Sequence, residues 1–301
     1  MRGIDGEVRT VWRRLLAGRL APILVAASAL LIIAVHFVAP VPSGAVHAEL
    51  SRLTSGNQIT GFVLMIMAFL SAYLLVAPDL HDEFESMTSS GGSRPITFAA
   101  ARLLVGVAAL LATTVVLGLA VEVLDIGGQY QQDEAVHLGV LFADAVPVLI
   151  LALVLSCLFG RGAGVIGTFF LTAVGSDAAY ERGALSDHFI DPSGLLSFEQ
   201  TLAWLAPRPL MDALPGIALM DQAVALQQFP VREGHAVWGT DLIQVSGPAE
   251  ITQYAAYVLA AVAVFYIVCR WRAARARSRF HLVPSWLEAR RGADRVDEER
   301  L

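Results

Sequence analysis

The chain contains no lysine; all 21 of its basic residues are arginine. A P-loop of the Walker kind places a lysine on the β- and γ-phosphates of its nucleotide. Any ATP site serving this protein therefore belongs to another polypeptide. Charge of either sign is scarce as well. Only 16% of the 301 residues are charged and 56% are hydrophobic, whereas an ordinary soluble domain carries about 25% charged residues. Mean hydropathy is +0.61, so the composition points to membrane insertion. The formal net charge is −6, and no basic patch is interleaved with aromatics, which argues against a nucleic-acid partner. Cysteine is nearly absent: Cys157 and Cys269 each lie in an apolar run. They read as inert buried thiols before a disulfide or a metal pair. Repeated period-2 strands, the mark of an outer-membrane barrel, are also missing.

Long apolar runs are what the chain has in abundance. About 20 helical residues cross the roughly 30 Å hydrocarbon core. Six runs meet that length: Leu20–Ala39, Ile59–Ala77, Phe98–Val121, Leu138–Phe159, Ala163–Tyr180 and Ile251–Cys269. The fifth loses apolar character after Val174. Pro40 and Pro78 follow the first two. The expected fold is an all-α integral membrane protein with six transmembrane helices. An amphipathic elbow helix over residues 1–19 precedes them. In it Val8, Val11, Trp12, Leu15 and Leu16 recur at helical spacing between Arg9, Arg13 and Arg14, as in helices lying in the headgroup layer. A signal peptide is the alternative, but the apolar run is too long for an h-region and no clear small-residue cleavage site closes it.

Arginine placement gives an orientation. With the N-terminus inside, the inner side carries 17 arginines and the outer side 4. An even number of spans is needed to keep both arginine-rich termini together, which retains the weak fifth run. The expected organisation is then spans 1–5 over 20–180 with a cytosolic loop at 79–97, an outer segment at 181–250, a last span at 251–269, and a basic cytosolic tail at 270–301. The outer loops are read at 40–58 and 122–137. The outer segment holds Trp204, Trp238 and several phenylalanines, with short amphipathic stretches broken by Pro209 and Pro215. It reads as helical, packed on or dipping into the membrane. The tail stretch R-W-R-A-A-R-A-R-S-R-F predicts a juxtamembrane helix against anionic lipid.

Several motifs are weighed against simpler readings. G-A-G-V-I-G at 162–167 matches the dinucleotide fingerprint, but a membrane helix precedes it where a strand is required; close helix packing explains the small residues better. A carboxylate in mid-bilayer costs about 2.5–3.5 kcal/mol, so Asp144 and Glu122 are candidates for a pathway. For Glu122 the simpler reading is an interfacial residue reaching water; for Asp144 it is a hydrogen bond within the bundle. His36 reads as an interfacial residue. Asp187, His188, Asp191 and His235 lack diagnostic metal spacing, and no nucleophile elbow accompanies them. No metal site is assigned.

The most informative stretch is polar, running from Asp79 to Arg102 between two apolar runs. Pro78 suits a first helical turn, and Asp79, Asp82 and Glu83 suit the positive end of a helix dipole. Leu80, Phe84 and Met87 form an i, i+4, i+7 stripe that fits a groove on a cytosolic partner, or packs on the chain's own N-terminal helix. Ser89–Ser93, S-S-G-G-S, turns the chain.

This layout resembles that of ABC-2 type permeases, the membrane subunits of type V ABC exporters. Their loop after the second span reads like E-x-G-T-L-E-L-L-L-S-S-P-V-S-R. Here D-E-F-E-S-M-T-S-S-G-G-S-R runs from Asp82 to Arg94. Glu85 falls on the acidic position, Phe84 and Met87 on apolar ones, Ser89 and Ser90 on the small polar pair, and Ser93 and Arg94 on the closing pair. Asp82, Glu83 and Gly91 depart from the pattern. The resemblance implies a coupling helix whose ATPase-facing residues are Leu80, Asp82, Glu83, Phe84, Glu85, Met87 and Arg94. It implies a separate ABC ATPase partner holding ATP and Mg, and a second permease copy or a paralogue. The chain itself is expected to bind no cofactor and to be a transport subunit rather than an enzyme, in a bacterial inner membrane. Two other readings stay open: a membrane scaffold of this type that couples ATP hydrolysis to an extracytoplasmic partner without moving solute, and an intramembrane enzyme using Asp144 or the outer Asp and His residues.

Overall fold

A computed structural model describes residues 4–17, 19–38, 48–76, 95–122, 131–180 and 247–280. Among them are seven helices and no strand: α1 Ile4–Ala17, α2 Leu20–Val38, α3 Ala48–Leu75, α4 Pro95–Glu122, α5 Gln131–Phe159, α6 Arg161–Tyr180 and α7 Gly247–Phe280. Four stretches are long and apolar enough to cross a membrane: Gly56–Leu75, Pro95–Glu122, Leu138–Phe159 and Tyr254–Ala276. A fifth arises only if α1 and α2 are taken as one broken span, bent by 58°. α6, the least apolar of the six expected spans, is not among them.

α1 forms as its amphipathic pattern requires. Val11 and Leu15 are buried, Asp5 and Glu7 occupy its first turn, and Arg14 its last, a charge order that suits the helix dipole. The helix stops at Arg19, whose φ of 53° lies in the left-handed region, uncommon for a residue other than glycine. The Arg19 N–H donates to the Leu16 carbonyl at 3.1 Å, and the Arg19 carbonyl accepts from Ile23 N–H. The chain thus bends sharply where the amphipathic α1 meets the first strongly apolar helix.

Several helices begin earlier than their apolar runs. α3 is helical from Ala48 and α5 from Gln131, so the outer loops expected at 40–58 and 122–137 are partly helix. α4 starts at Pro95, which shortens the polar loop expected through residue 97. Hydropathy marks only the stretch suited to hydrocarbon, whereas backbone hydrogen bonding continues into polar sequence. Proline at the first position loses nothing, because its absent N–H would have had no helical partner. α7 likewise runs on to Phe280, making a helix of the arginine-rich stretch from Arg270 as expected.

Helices α3, α4 and α5 share the core. Leu64, Ala68, Ala72 and Leu75 line one face of α3; Ala101, Val105 and Leu117 are buried on α4, and Ala145, Leu149 and Leu153 on α5. The outside is apolar too, with Leu104, Leu111 and Leu119 of α4 and Ile166, Phe169 and Phe170 of α6 exposed. Helices hydrophobic on every face belong in a core or in lipid. Four threonine hydroxyls within them are satisfied locally: Thr60, Thr113, Thr114 and Thr168 each donate to the carbonyl four residues earlier, the back-bonding that hides such groups in helices.

Gly160, with φ of 93°, turns α5 into α6. A Cβ on Gly164 would run into the backbone of Ser156 and Leu155, so α6 leaves the turn with its backbone against that of α5. Of the glycines of G-A-G-V-I-G, Gly164 thus serves packing here. α7 runs parallel to α5. Tyr254 meets Ala143 and Arg272 meets Leu158, at nearly constant sequence offsets of 111 and 114. α7 also lies on the rim, with 17% of its apolar window buried against 56% for α5.

Candidate functional site

Among the described residues the largest fully buried side chain is an arginine. Arg102, two turns into α4, has no exposed surface. Its Nε donates to the Leu75 carbonyl at 3.0 Å and its Nη1 to the Phe98 carbonyl at 3.2 Å. The guanidinium stacks on the Phe98 ring, 3.2 Å from its centroid. Nη1 also pairs with Glu7 Oε1 at 3.4 Å, and that carboxylate keeps some exposure at 14%. Leu75 closes α3, and the last four carbonyls of a helix have no partner within it. Arg102 therefore caps α3 from α4 while holding α1 by charge. A cation at a helix C-terminus is also favoured by the dipole. The tie is electrostatically sound because a buried charge is tolerable only when paired and hydrogen-bonded.

A second arginine repeats the arrangement. Arg272 of α7 donates through Nη2 to Leu158 O, among the last carbonyls of α5. Arg161, opening α6, stacks on Tyr73 near the end of α3, 4.5 Å from the ring centroid. Arg102, Arg161 and Arg272 thus gather where α3 and α5 finish. At the same end, Arg275 and Arg272 lie over the half-exposed Trp271 at 5.3 and 5.5 Å, an aromatic-plus-basic grouping typical of a membrane–water boundary.

A different polar contact sits farther up α5. Pro147 lies inside that helix. Having no N–H, it leaves the carbonyl four residues earlier, that of Ala143, without its helical donor. The Tyr254 hydroxyl of α7 supplies one, at 2.7 Å. Asp144 is next in sequence, buried, and close enough to Tyr254 to act on it electrostatically.

The expected site residues fall into two groups. Asp144 is buried within the bundle, and Glu122 is exposed at the last position of α4; they are not brought together. Leu80, Asp82, Glu83, Phe84, Glu85, Met87 and Arg94 lie outside the described residues, as do Asp187, His188, Asp191 and His235. Among the described residues no three His, Cys, Asp or Glu side chains gather as a metal site would. Reading by sequence missed the Glu7–Arg102 pair. Its only trace was an arginine set deep in the apolar run after Phe98, four residues on, with an acid in the N-terminal helix. No family model, curated protein or solved structure matches the chain.

Proposed function

We propose that this chain is the permease subunit of an ATP-driven exporter of the ABC-2 kind. It works with a separate ABC ATPase that holds ATP and Mg, and with a second copy or a paralogue. In this reading six spans cross a bacterial inner membrane, both termini are cytosolic, and the basic end of α7 rests on anionic lipid.

The observation that carries the proposal is the Arg102 tie. The polar segment between α3 and α4 is the expected ATPase contact. Arg102 fastens the helix that enters that segment, the helix that leaves it, and the interfacial α1 into one unit. A coupling element has to be stiff where it meets the spans, and this one is anchored by a charged hydrogen bond to a helix end. The parallel course of α5 and α7 supports the span count. A chain leaving α5 at one end must return to the other end before α7 begins. α6, of 20 residues and so about 30 Å long, is the element that fits that return. Asp144 and Glu122 remain pathway candidates, Asp144 the stronger for its burial.

The test is Phe84→Asp with Met87→Asp. Loss of ATPase co-purification with an intact bundle is expected. Retained ATPase binding and stimulation would refute the docking assignment. Deletion of 181–250 that leaves ATPase binding intact but abolishes assembly with an extracytoplasmic protein would instead favour the scaffold reading.

A further inference from the structure

We propose that Pro147 is a hinge in α5 and that Tyr254 of α7 is its latch, so that one hydrogen bond decides whether the N-terminal half of α5 stands fixed or tilts. Pro147 sits well inside a 29-residue helix. It brings no N–H, and its ring crowds the carbonyl four residues earlier. The step from Ala143 to Pro147 is therefore where this helix bends most easily. In an apolar bundle water does not replace the missing donor, and a neighbouring helix has to. Here the Tyr254 hydroxyl does so, 2.7 Å from the Ala143 carbonyl.

The two halves of α5 are held differently. After Pro147, Leu149 and Leu153 are fully buried, the backbone at Leu155 and Ser156 lies against Gly164 of α6, and the Leu158 carbonyl is held by Arg272. Before it, contacts run through side-chain ends: Leu138 reaches over Gly118 of α4, and Leu141 over Gly61 of α3. A leucine end shifts between rotamers; backbone set against backbone has no such freedom. The N-terminal half is the one that moves.

The latch comes from the helix best placed to leave. α7 lies on the rim of the bundle. Arg272 on Leu158 ties its C-terminal part to α5, so a parting of the two helices pivots there and is widest toward Tyr254. Parting breaks the bond that stands in for the helical donor, and the joint is freed. Asp144 lies within the joint and is buried while the latch is closed. A tilt at that step changes what covers its carboxylate, so the latch governs access of water to Asp144. The hinge is a property of the bundle and holds whether or not the chain moves a solute.

The experiment uses the full chain in lipid nanodiscs, with spin labels at Ala135→Cys on α5 and Leu31→Cys on α2, and with Cys157→Ala and Cys269→Ala removing the native thiols. Both labelled positions are exposed, and α2 packs on α3 and α4, across the bundle from the joint. A kink of more than about 20° moves Ala135, about 15 Å along the helix from the joint, by roughly 5 Å. Double electron–electron resonance is expected to show one distance population with Tyr254 present. Tyr254→Phe adds a second, displaced by about 5 Å by the same geometry, and Pro147→Ala added to it restores the single one. A water-soluble carbodiimide with an amine should modify Asp144 faster in Tyr254→Phe than in the parent or the double variant. An unchanged distribution in Tyr254→Phe overturns the latch, and a second population that persists in the double variant overturns the hinge. Unchanged modification of Asp144 while the second population appears overturns its control by the latch. Loss of folding in Tyr254→Phe that Pro147→Ala restores supports the pair, and loss that it does not restore overturns it.

Discussion

Neutralising Glu7 or Arg102 should cost stability in a way that reveals them as a pair. Removing one partner of a fully buried ion pair costs about 3–5 kcal/mol. Glu7 is partly exposed and 3.4 Å away, so Glu7→Gln belongs lower, near the roughly 1.5–3 kcal/mol of a hydrogen bond to a charged group. Arg102→Met removes the cation but also the donor to Leu75 O. A buried carbonyl left without a partner costs about 1–3 kcal/mol, while the freed Glu7 can turn toward water. Each single change is therefore expected to cost about 2 kcal/mol by those figures. The double variant should fall short of the sum by about 1–2 kcal/mol, within the range for contacting residues. Reversible unfolding in mixed micelles measures the cycle. Hydrogen exchange of the α1 amides should accelerate in both single variants, because α1 loses its charged anchor. Additivity to within about 0.5 kcal/mol, or an Arg102→Met cost no larger than that of Arg13→Met on the exposed face of α1, would refute the tie.

Tyr254→Phe strips the donor from the Ala143 carbonyl and should destabilise by about 1–3 kcal/mol. Adding Pro147→Ala restores a backbone N–H for that carbonyl, so the double variant should recover most of the loss in unfolding midpoint. Gly164→Leu should prevent stable folding or lower the midpoint sharply, since even a Cβ there meets the Ser156 backbone. Gly162→Ala, where nothing lies within 4 Å, should be neutral or gain about 0.5–1 kcal/mol from helix propensity; equal behaviour of the two glycines in the same assay would contradict the close approach of α5 and α6.

Much of the helical framework was written in hydropathy. Four of the six expected runs recur as long apolar helices, because a span is a property of local composition. The packing role of Gly164 was legible too, since small residues after a tight turn have few other uses in a bundle. What escaped was pairing. Arg102 was read only as the point where the polar stretch gives way to the third apolar run, because one sequence does not show which carbonyl or carboxylate a side chain will meet. Pro147 was visible, but its donor, Tyr254, lies 111 residues beyond Ala143. Helix ends were missed at Ala48 and Gln131, where backbone bonding outlasts the apolar stretch.

The Arg102 clamp also bears on the length of the loop it closes. The exit of α3 and the entry of α4 are held together from within the bundle by Arg102 on Leu75, so the two points that any connecting segment has to join are already fixed. Lengthening a flexible segment between fixed ends costs only about 0.6 kcal/mol for each doubling. The segment is thus free to vary in size and reach without unsettling the helices beneath it. On the proposed exporter reading, a clamped base also lowers the ordering entropy lost on docking. One scaffold could on these terms be refitted to different partners by exchanging this insert alone.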